Sequence, residues 1–303
     1  MASPDRLGDK EGFRSGFVSI VGRPNVGKST LLNAMLNRKV AITSSRPQTT
    51  RNAIRGVLTG DGWQMVFIDT PGLHKPKTAL GERLNDVVRR TLKEVDAIVF
   101  MVDATQEIGT GDRFVGEEIS RLGAPAICVV NKMDAAKHGD LVRQLAAAET
   151  VGAWREIIPI SAKDGRNVEQ LKELLVSHLS EGPQYYPGDV FSDQPREFLV
   201  AEIIREKALE LTHQEVPHSI AVNIDELIDR EDGVTEIQAV LFVERDSQKG
   251  IVIGKGGAML KEIGTRARRE LEWILGTKVF VRVQVKVAKD WQRDVGSVMR
   301  LGY

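Results

Sequence analysis

The stretch GRPNVGKS, Gly22 to Ser29, decides how the first half of the chain reads. It matches the phosphate-binding pattern GxxxxGK[ST], and its context gives that pattern meaning. The apolar, β-rich run FVSIV, Phe17 to Val21, ends just before it, and a helical pattern begins at about Lys28 and runs on near 29–37. Gly22 and Gly27 let backbone N–H groups turn inward onto phosphates, and the helix N-terminus adds favourable partial charge. Lys28 is expected to reach the β- and γ-phosphates of a nucleotide, and Ser29 to place its hydroxyl on Mg2+. Asn25, Val26 and Thr30 complete the phosphate-binding segment.

Three companions follow in order. DTPG, Asp69 to Gly72, comes 41 residues after Lys28 and directly after the buried run QMVFI. An acid at a strand end supplies a second Mg2+ group, and Gly72 offers a backbone N–H to a γ-phosphate. NKMD, Asn131 to Asp134, follows the apolar run ending at Val130. A carboxylate at Asp134 accepts two hydrogen bonds from guanine, from its ring N–H and its exocyclic amine. Adenine presents an acceptor there instead, which would leave the carboxylate unpaired. SAK, Ser161 to Lys163, follows EIIPI, and the Ala162 N–H is expected to donate to the guanine carbonyl. All four segments sit at the carboxyl ends of predicted strands, where open α/β sheets bind ligands. Together they predict a guanine-nucleotide site (GTP or GDP) built from Gly22, Asn25, Val26, Gly27, Lys28, Ser29, Thr30, Asp69, Gly72, Asn131, Lys132, Asp134, Ser161, Ala162 and Lys163.

Outward from that site, AIVFMVD (97–103) and APAICVV (124–130) are continuous apolar runs, as expected of strands buried on both faces. AIRGVLT and QMVFI flank Gly60-Asp61-Gly62 and read as a hairpin. Helical patterns fall near 82–94, 111–121, 138–150 and 167–180. This alternation predicts an α/β, mostly parallel, doubly wound sheet. The Pro- and Gly-rich stretch EGPQYYPGDVFSDQP marks a boundary. The expected division is 13–181, a linker at 182–195, and a second domain at 196–303.

A chain of 303 residues suits two domains, and 42% hydrophobic with 28% charged residues is ordinary for a globular protein. Cys128 is the single cysteine, which excludes a disulfide framework or a cysteine-based metal site. It fits a reducing cytosol, and a cytoplasmic location is expected. No apolar run approaches the ~18 residues of a membrane span, and the N-terminal MASPDRLGDKEGFRSG has no apolar core, so no secretory signal is expected. The net charge of +0 hides an asymmetry. Residues 183–244 hold 4 basic and 14 acidic residues, net −10, and residues 245–293 hold 12 and 5, net +7. The basic stretch hints at nucleic acid.

Within that stretch, GKGG, Gly254 to Gly257, lies between an apolar segment and a helix near 257–275. The glycines let the backbone approach a sugar–phosphate chain, Lys255 screens a phosphate, and the following helix N-terminus attracts one. Lys261, Arg266, Arg268 and Arg269 follow on that helix, and Ile251, Ile253, Met259 and Ile263 are expected to floor a groove for unstacked bases. Trp273, late in the helix, reads as a core residue. KVFVRVQVKV, 278–287, alternates with its valines on one face, as a half-buried strand does. The element order α-β-β-α-α-β is that of an α+β, prokaryotic-type KH domain with a GXXG loop. Gly254, Lys255, Gly256, Gly257, Lys261 and Arg268 are the expected RNA contacts.

The nucleotide motifs resemble those of the P-loop GTPases of the translation-factor class. SSRPQTTRN, 44–52, resembles the switch I of the Era family, and a GTPase domain followed by one KH domain is that family's architecture. The resemblance runs from about residue 13 to the end at RLGY. It implies a threonine that senses Mg2+ and the γ-phosphate. Thr49 and Thr50 compete for the role, with Thr50 the first choice. Lys28, Thr50, Gly72 and Asn25 are then the catalytic candidates, and Ser29, Thr50 and Asp69 the metal-binding ones. Where Ras-like proteins carry a glutamine that orients water, this chain has Leu73, so slow intrinsic hydrolysis is expected. Related proteins with asparagine at the position of Asn25 hold K+ beside the phosphates, while Asn25 also reads simply as a loop-shaping residue. His74 reads as a solvated switch-loop residue rather than a base.

The resemblance further implies a protein that grips the 3′ end of small-subunit ribosomal RNA, acts on the small ribosomal subunit, and associates peripherally with the cytoplasmic membrane; a monomer is expected, though no residue pattern fixes the oligomeric state. No amphipathic anchor or acylation motif accounts for that last property. A GTP-switched RNA chaperone with negligible intrinsic hydrolysis is the competing expectation.

Overall fold

The computed structural model describes residues 12–44, 49, 51, 54–69, 79–92, 94–121 and 124–303. Two compact units emerge. The first holds Met1–Ala41, Thr50–His74 and Leu84–Asp193; the second holds Ile42–Thr49, Lys75–Arg83 and Gln194–Tyr303.

In the first unit, β1 (Arg14–Gly22) lies between β3 (Trp63–Asp69) and β4 (Ala97–Asp103), parallel to both. Beyond β4 come β5 (Ala126–Asn131) and β6 (Glu156–Pro159), also parallel. On the other side β2 (Ile54–Gly60) pairs antiparallel with β3, giving the order β2-β3-β1-β4-β5-β6. Every residue of β4 and β5 is buried, the physical counterpart of their unbroken apolar sequences. The hairpin is tighter than its sequence suggests. Gly60 still pairs with Trp63, so Asp61-Gly62 makes the turn, with Gly62 at φ 76°.

The helices α1 (Lys28–Leu36), α2 (Ala79–Thr91), α3 (Thr110–Ser120), α4 (His138–Glu149) and α5 (Val168–Ser177) alternate with the strands. Side chains of α2, α3 and α4, among them Val88, Val115 and Ala148, pack with Phe100, Cys128 and Val130 into one core. Burial pushes the Cys128 thiol up to about 12, so it is an inert core group. A short strand, β7 (Ser180–Glu181), pairs with the start of β1 and has no sequence signal of its own.

The Pro-rich stretch that follows is fastened rather than loose. The Gln64 side chain accepts from the Tyr185 and Tyr186 N–H groups at 2.8 and 3.0 Å and donates to the Tyr186 carbonyl. The Val57 N–H donates to the Phe191 carbonyl at 2.9 Å. Backbone groups that cannot form a helix here find partners on β2 and on one buried amide.

The second unit contains α6 (Arg196–Leu211), α7 (Val216–Ser219), β8 (Ala221–Asp229), β9 (Val234–Val243), α8 (Asp246–Ile253), α9 (Ala258–Leu275), β10 (Lys278–Val287) and α10 (Val295–Arg300). Its three-stranded sheet has the order β10-β9-β8, with β9 parallel to β10 and antiparallel to β8. The alternating valines of β10 join Ile203, Ile204, Ile237 and Leu241 in one apolar cluster. The short α7 and α10 are not foreshadowed in the sequence.

Two expectations are overturned by helical geometry. Ile263, Ala267 and Leu271 recur every four residues and form the buried stripe of α9, so Ile263 is a core residue rather than a groove floor. Trp273 falls two residues past that stripe and is 77% exposed, not core.

Candidate nucleotide site and RNA groove

Gly22 ends the central strand, and the chain turns through residues 23–27 into α1. Gly27 takes φ 105°, and a Cβ on it would lie 2.3 Å from Asn131 Nδ2. No other residue type fits there, because the loop must pass directly beneath the Asn131 amide. Asn25 also lies in the left-handed region, at φ 66°, with its side chain exposed. Lys28 is 7% exposed, and its Nζ donates to the Gly22 and Arg23 carbonyls at 3.1 and 3.0 Å. The lysine thus satisfies carbonyls of the loop. A helix N-terminus points backbone N–H groups that lack intrahelical acceptors outward, which is the general basis on which such a turn binds an anion. Ser29 and Thr30 occupy the first turn of α1.

Asn131, at the end of β5, ties the phosphate loop to the base-reading loops. Its Nδ2 donates to the Val26 carbonyl at 2.8 Å, and its Oδ1 accepts from the Ala162 N–H at 2.9 Å. The Ala162 N–H, expected from sequence to face guanine, is here bonded to Asn131. Ser161 Oγ donates to Asp134 Oδ1 at 2.7 Å, and the Met133 N–H donates to the Ile160 carbonyl at 3.1 Å. These two bonds hold the NKMD and SAK loops side by side, with Asp134 and Lys163 exposed.

Lys132 takes φ 66° and its Nζ donates to Asp103 Oδ2 at 2.6 Å. Burial pushes the Asp103 carboxyl up, but bonds from Lys132 and Thr105 outweigh it and hold it below the usual carboxylate range. Asp103 is therefore the ionised partner that fixes Lys132. Sequence reading missed it, although its signal, an acid closing an apolar strand, is the one that pointed to Asp69. Arg23 was likewise passed over, and it pairs with the buried Asp112 at 2.7 Å.

Asp69 closes β3 beside Ile20 of β1, which puts its backbone at the same sheet edge as the phosphate loop. Its side chain, and all of Thr50, Gly72, Leu73 and His74, lie outside the described residues. The donor chemistry suits Mg2+. One hydroxyl from Ser29 and one carboxylate from Asp69 leave positions for phosphate oxygens and waters, which this ion keeps.

In the second unit the α8 helix ends at the GXXG loop. Gly254, Gly256 and Gly257 lie at φ 72°, 60° and 80°. A Cβ on Gly254 would meet Met259 at 2.8 Å, whereas one on Gly256 would meet nothing within 4 Å. Gly254 thus serves packing, and Gly256 leaves the loop surface bare. Lys255 is exposed beside it. A groove of about 610 Å³ runs from this loop between α9 and β10, lined by Gly257, Leu260, Lys261, Thr265, Arg268 and Arg282, among others. Lys261 and Arg268, chosen from sequence, line this groove. The β10 side of it was not foreseen, since a strand's role as a groove wall depends on which edge of the sheet it occupies. Arg266 is paired with Glu262 at 2.7 Å and is not among the residues lining this groove.

Residues 17–132 match the family described as 50S ribosome-binding GTPase, and residues 215–292 match the KH domain family. Two solved structures resemble the whole chain. One is an Era variant from Aquifex aeolicus bound to GDP and aluminium fluoride. It is 40% identical, with a TM-score of 0.92, covering 96% of this chain and 99% of that one. The other is Era in complex with MgGDPNP and nucleotides 1506–1542 of 16S ribosomal RNA, with the same identity, TM-score and coverage. With nearly the full length of both chains aligned at that identity, and with a guanine-nucleotide site and a GXXG groove in separate units, the chain belongs to the Era family of GTPases.

Proposed function

We propose that this chain hydrolyses GTP, grips the unpaired 3′ end of small-subunit ribosomal RNA through its GXXG groove, and serves the assembly and maturation of the small ribosomal subunit. The observation that carries the reading is the likeness, over nearly its whole length, to an Era structure holding both MgGDPNP and a 16S RNA segment. In this reading residues 13–181 form the GTPase domain, 182–195 the linker and 196–303 the KH domain.

The chain's own groups have distinct tasks. Lys28 moves from the loop carbonyls toward the β- and γ-phosphates, and the N–H groups of the phosphate loop neutralise charge. Asn131 keeps the phosphate and base loops in register. Asp134, held by Ser161, reads guanine. Ser29, Asp69 and Thr50 would hold Mg2+, which when bound offsets phosphate charge. Lys255, Lys261 and Arg268 contact RNA phosphates while the glycine loop admits the backbone. Peripheral membrane association and a monomeric state complete the proposal. Among the described residues no helix is long and apolar enough to cross a membrane.

Crosslinking followed by RNA sequencing, with a non-hydrolysable GTP analogue and then with GDP, tests the function. Reads concentrated at the 3′ end of small-subunit RNA are expected, and reads spread evenly over messenger and ribosomal RNA would refute it. The K+ role of Asn25 is part of the same proposal. Exchanging K+ for Na+ at constant ionic strength is expected to slow GTP turnover several-fold, and equal rates would end that assignment.

A further inference from the structure

Arg23 follows Gly22 at the start of the phosphate loop, and its side chain leaves the loop for α3. Its Nε donates to Asp112 Oδ1 at 2.7 Å. Asp112 is 0% exposed, and its Oδ2 accepts from the Gly109 N–H at 3.0 Å, so the helix start fixes the carboxylate as well. Gly111 makes room for the arginine stem, because a Cβ there would lie 2.8 Å from Arg23 Cδ. A buried carboxylate is costly to take out of water, and such a pair adds little stability over apolar packing. What it does add is a fixed direction, since the planar guanidinium holds one geometry where an ammonium would not.

The backbone of Arg23 is engaged at the same time. Lys28 Nζ donates to the Gly22 and Arg23 carbonyls at 3.1 and 3.0 Å. At the far end of the loop the Val26 carbonyl accepts from Asn131 Nδ2 at 2.8 Å. The phosphate loop is thus clipped to α3 at its start and to β5 at its end, and all of these residues lie in the first unit.

We infer that Arg23, held by Asp112, is a positioning residue for the nucleotide phosphates: by fixing the start of the loop it fixes the two carbonyls that seat Lys28. The inference rests on the guanine-nucleotide reading above and deepens it. Ordering loop backbone costs conformational entropy, and a loop clipped at both ends has less left to lose when a nucleotide arrives. The two clips differ in reach. Asn131 also accepts from the Ala162 N–H at 2.9 Å, so it serves the phosphate and base loops together. The Arg23 clip acts at the start of the loop alone. Its loss therefore falls on the contacts that depend on Lys28, those to the β- and γ-phosphates. GMP carries neither phosphate and does not draw on the clip.

The test compares the parent with Arg23→Met/Asp112→Asn, which removes both charges together and keeps an acceptor for the Gly109 N–H, and with Arg23→Lys, which keeps the charge without the planar fork. Affinities for GDP and GMP by competition against a fluorescent GDP analogue, steady-state GTP turnover and the thermal midpoint are measured on the full chain. The double variant is expected to lose about tenfold in GDP affinity and in kcat/KM for GTP, the scale of one hydrogen bond to a charged group, with GMP affinity within about twofold of the parent. Arg23→Lys is expected to recover part of the loss. A merely structural role would lower GDP and GMP affinity in step, or lower the thermal midpoint alone, and either result would overturn the inference. Should the double variant fail to fold, Arg23→Lys decides: it must lower GDP affinity more than GMP affinity, or the inference fails. A parent chain that binds ATP as tightly as GTP, or binds neither, would overturn the guanine-nucleotide reading instead.

Discussion

Asp134→Asn is expected to lower GTP affinity by about 30- to 1,000-fold, about 2–4 kcal/mol, the scale of unpairing charged hydrogen bonds in a binding site. The carboxylate is fixed from one side only. Ser161 Oγ donates to Oδ1 at 2.7 Å, and the rest of the group is open to solvent. Guanine presents two donors to it. Asparagine retains an oxygen for Ser161 and turns an amide NH2 toward the guanine ring N–H, so a donor meets a donor. The substitution keeps shape, and the Met133 to Ile160 backbone bond that braces the loop does not involve the side chain. The fold should survive, and the loss should report on base reading alone. Xanthosine triphosphate carries an acceptor where guanine has its amine, so the variant is expected to gain affinity for it. Calorimetry of parent and variant with GTP, xanthosine triphosphate and ATP checks this. ATP binding as tightly as GTP to the parent would remove the role assigned to Asp134.

The parts of this site that were legible in sequence are those where one residue type has one physical use. Gly27 is a glycine because a Cβ would strike Asn131, and GxxxxGK[ST] records that need directly. The strands β4 and β5 were legible because burial on both faces leaves an unbroken apolar run. Groups whose roles depend on a distant partner were not. Asp103 matters through Lys132, 29 positions away, and no local pattern marks that pairing. Arg205 sits in EIIREKAL, which reads as an ordinary charged helix until the fold brings Thr49 to it. Trp273 shows the opposite error. A large aromatic suggests a core, but its angle on α9 relative to Ile263, Ala267 and Leu271 places it in solvent, and periodicity outweighs residue type there. The Pro-rich stretch reads as a linker from its composition, while its hydrogen bonds to Gln64 and Val57 come from partners far away in sequence that no local pattern marks.

Gly256→Asp is expected to reduce RNA affinity at least tenfold, because a carboxylate would stand where the sugar–phosphate backbone must approach. The structure makes this a clean test. Gly256 has φ 60°, and nothing lies within 4 Å of an added Cβ, so no internal clash accompanies the change. Aspartate is among the residues that tolerate the left-handed region, which limits the strain. A Gly254 substitution would be less informative, since its Cβ would meet Met259 at 2.8 Å and disturb the start of α9. Lys255→Ala should be milder. It removes one phosphate contact, so affinity falls for all sequences alike and the salt slope drops by about 0.7, the single-strand value per phosphate. Arg268, in the groove wall, is partly neutralised by Glu272 at 3.3 Å and should contribute less than Lys261. Single-stranded RNA should be preferred over duplex, because a groove of this kind clamps about four unpaired nucleotides. Fluorescence anisotropy with short labelled RNAs measures each effect, and unchanged GDP affinity serves as the control for folding. If Gly256→Asp binds single-stranded RNA as tightly as the parent does, the groove between α9 and β10 is not where RNA is held, and the net +7 stretch is only a solvated face.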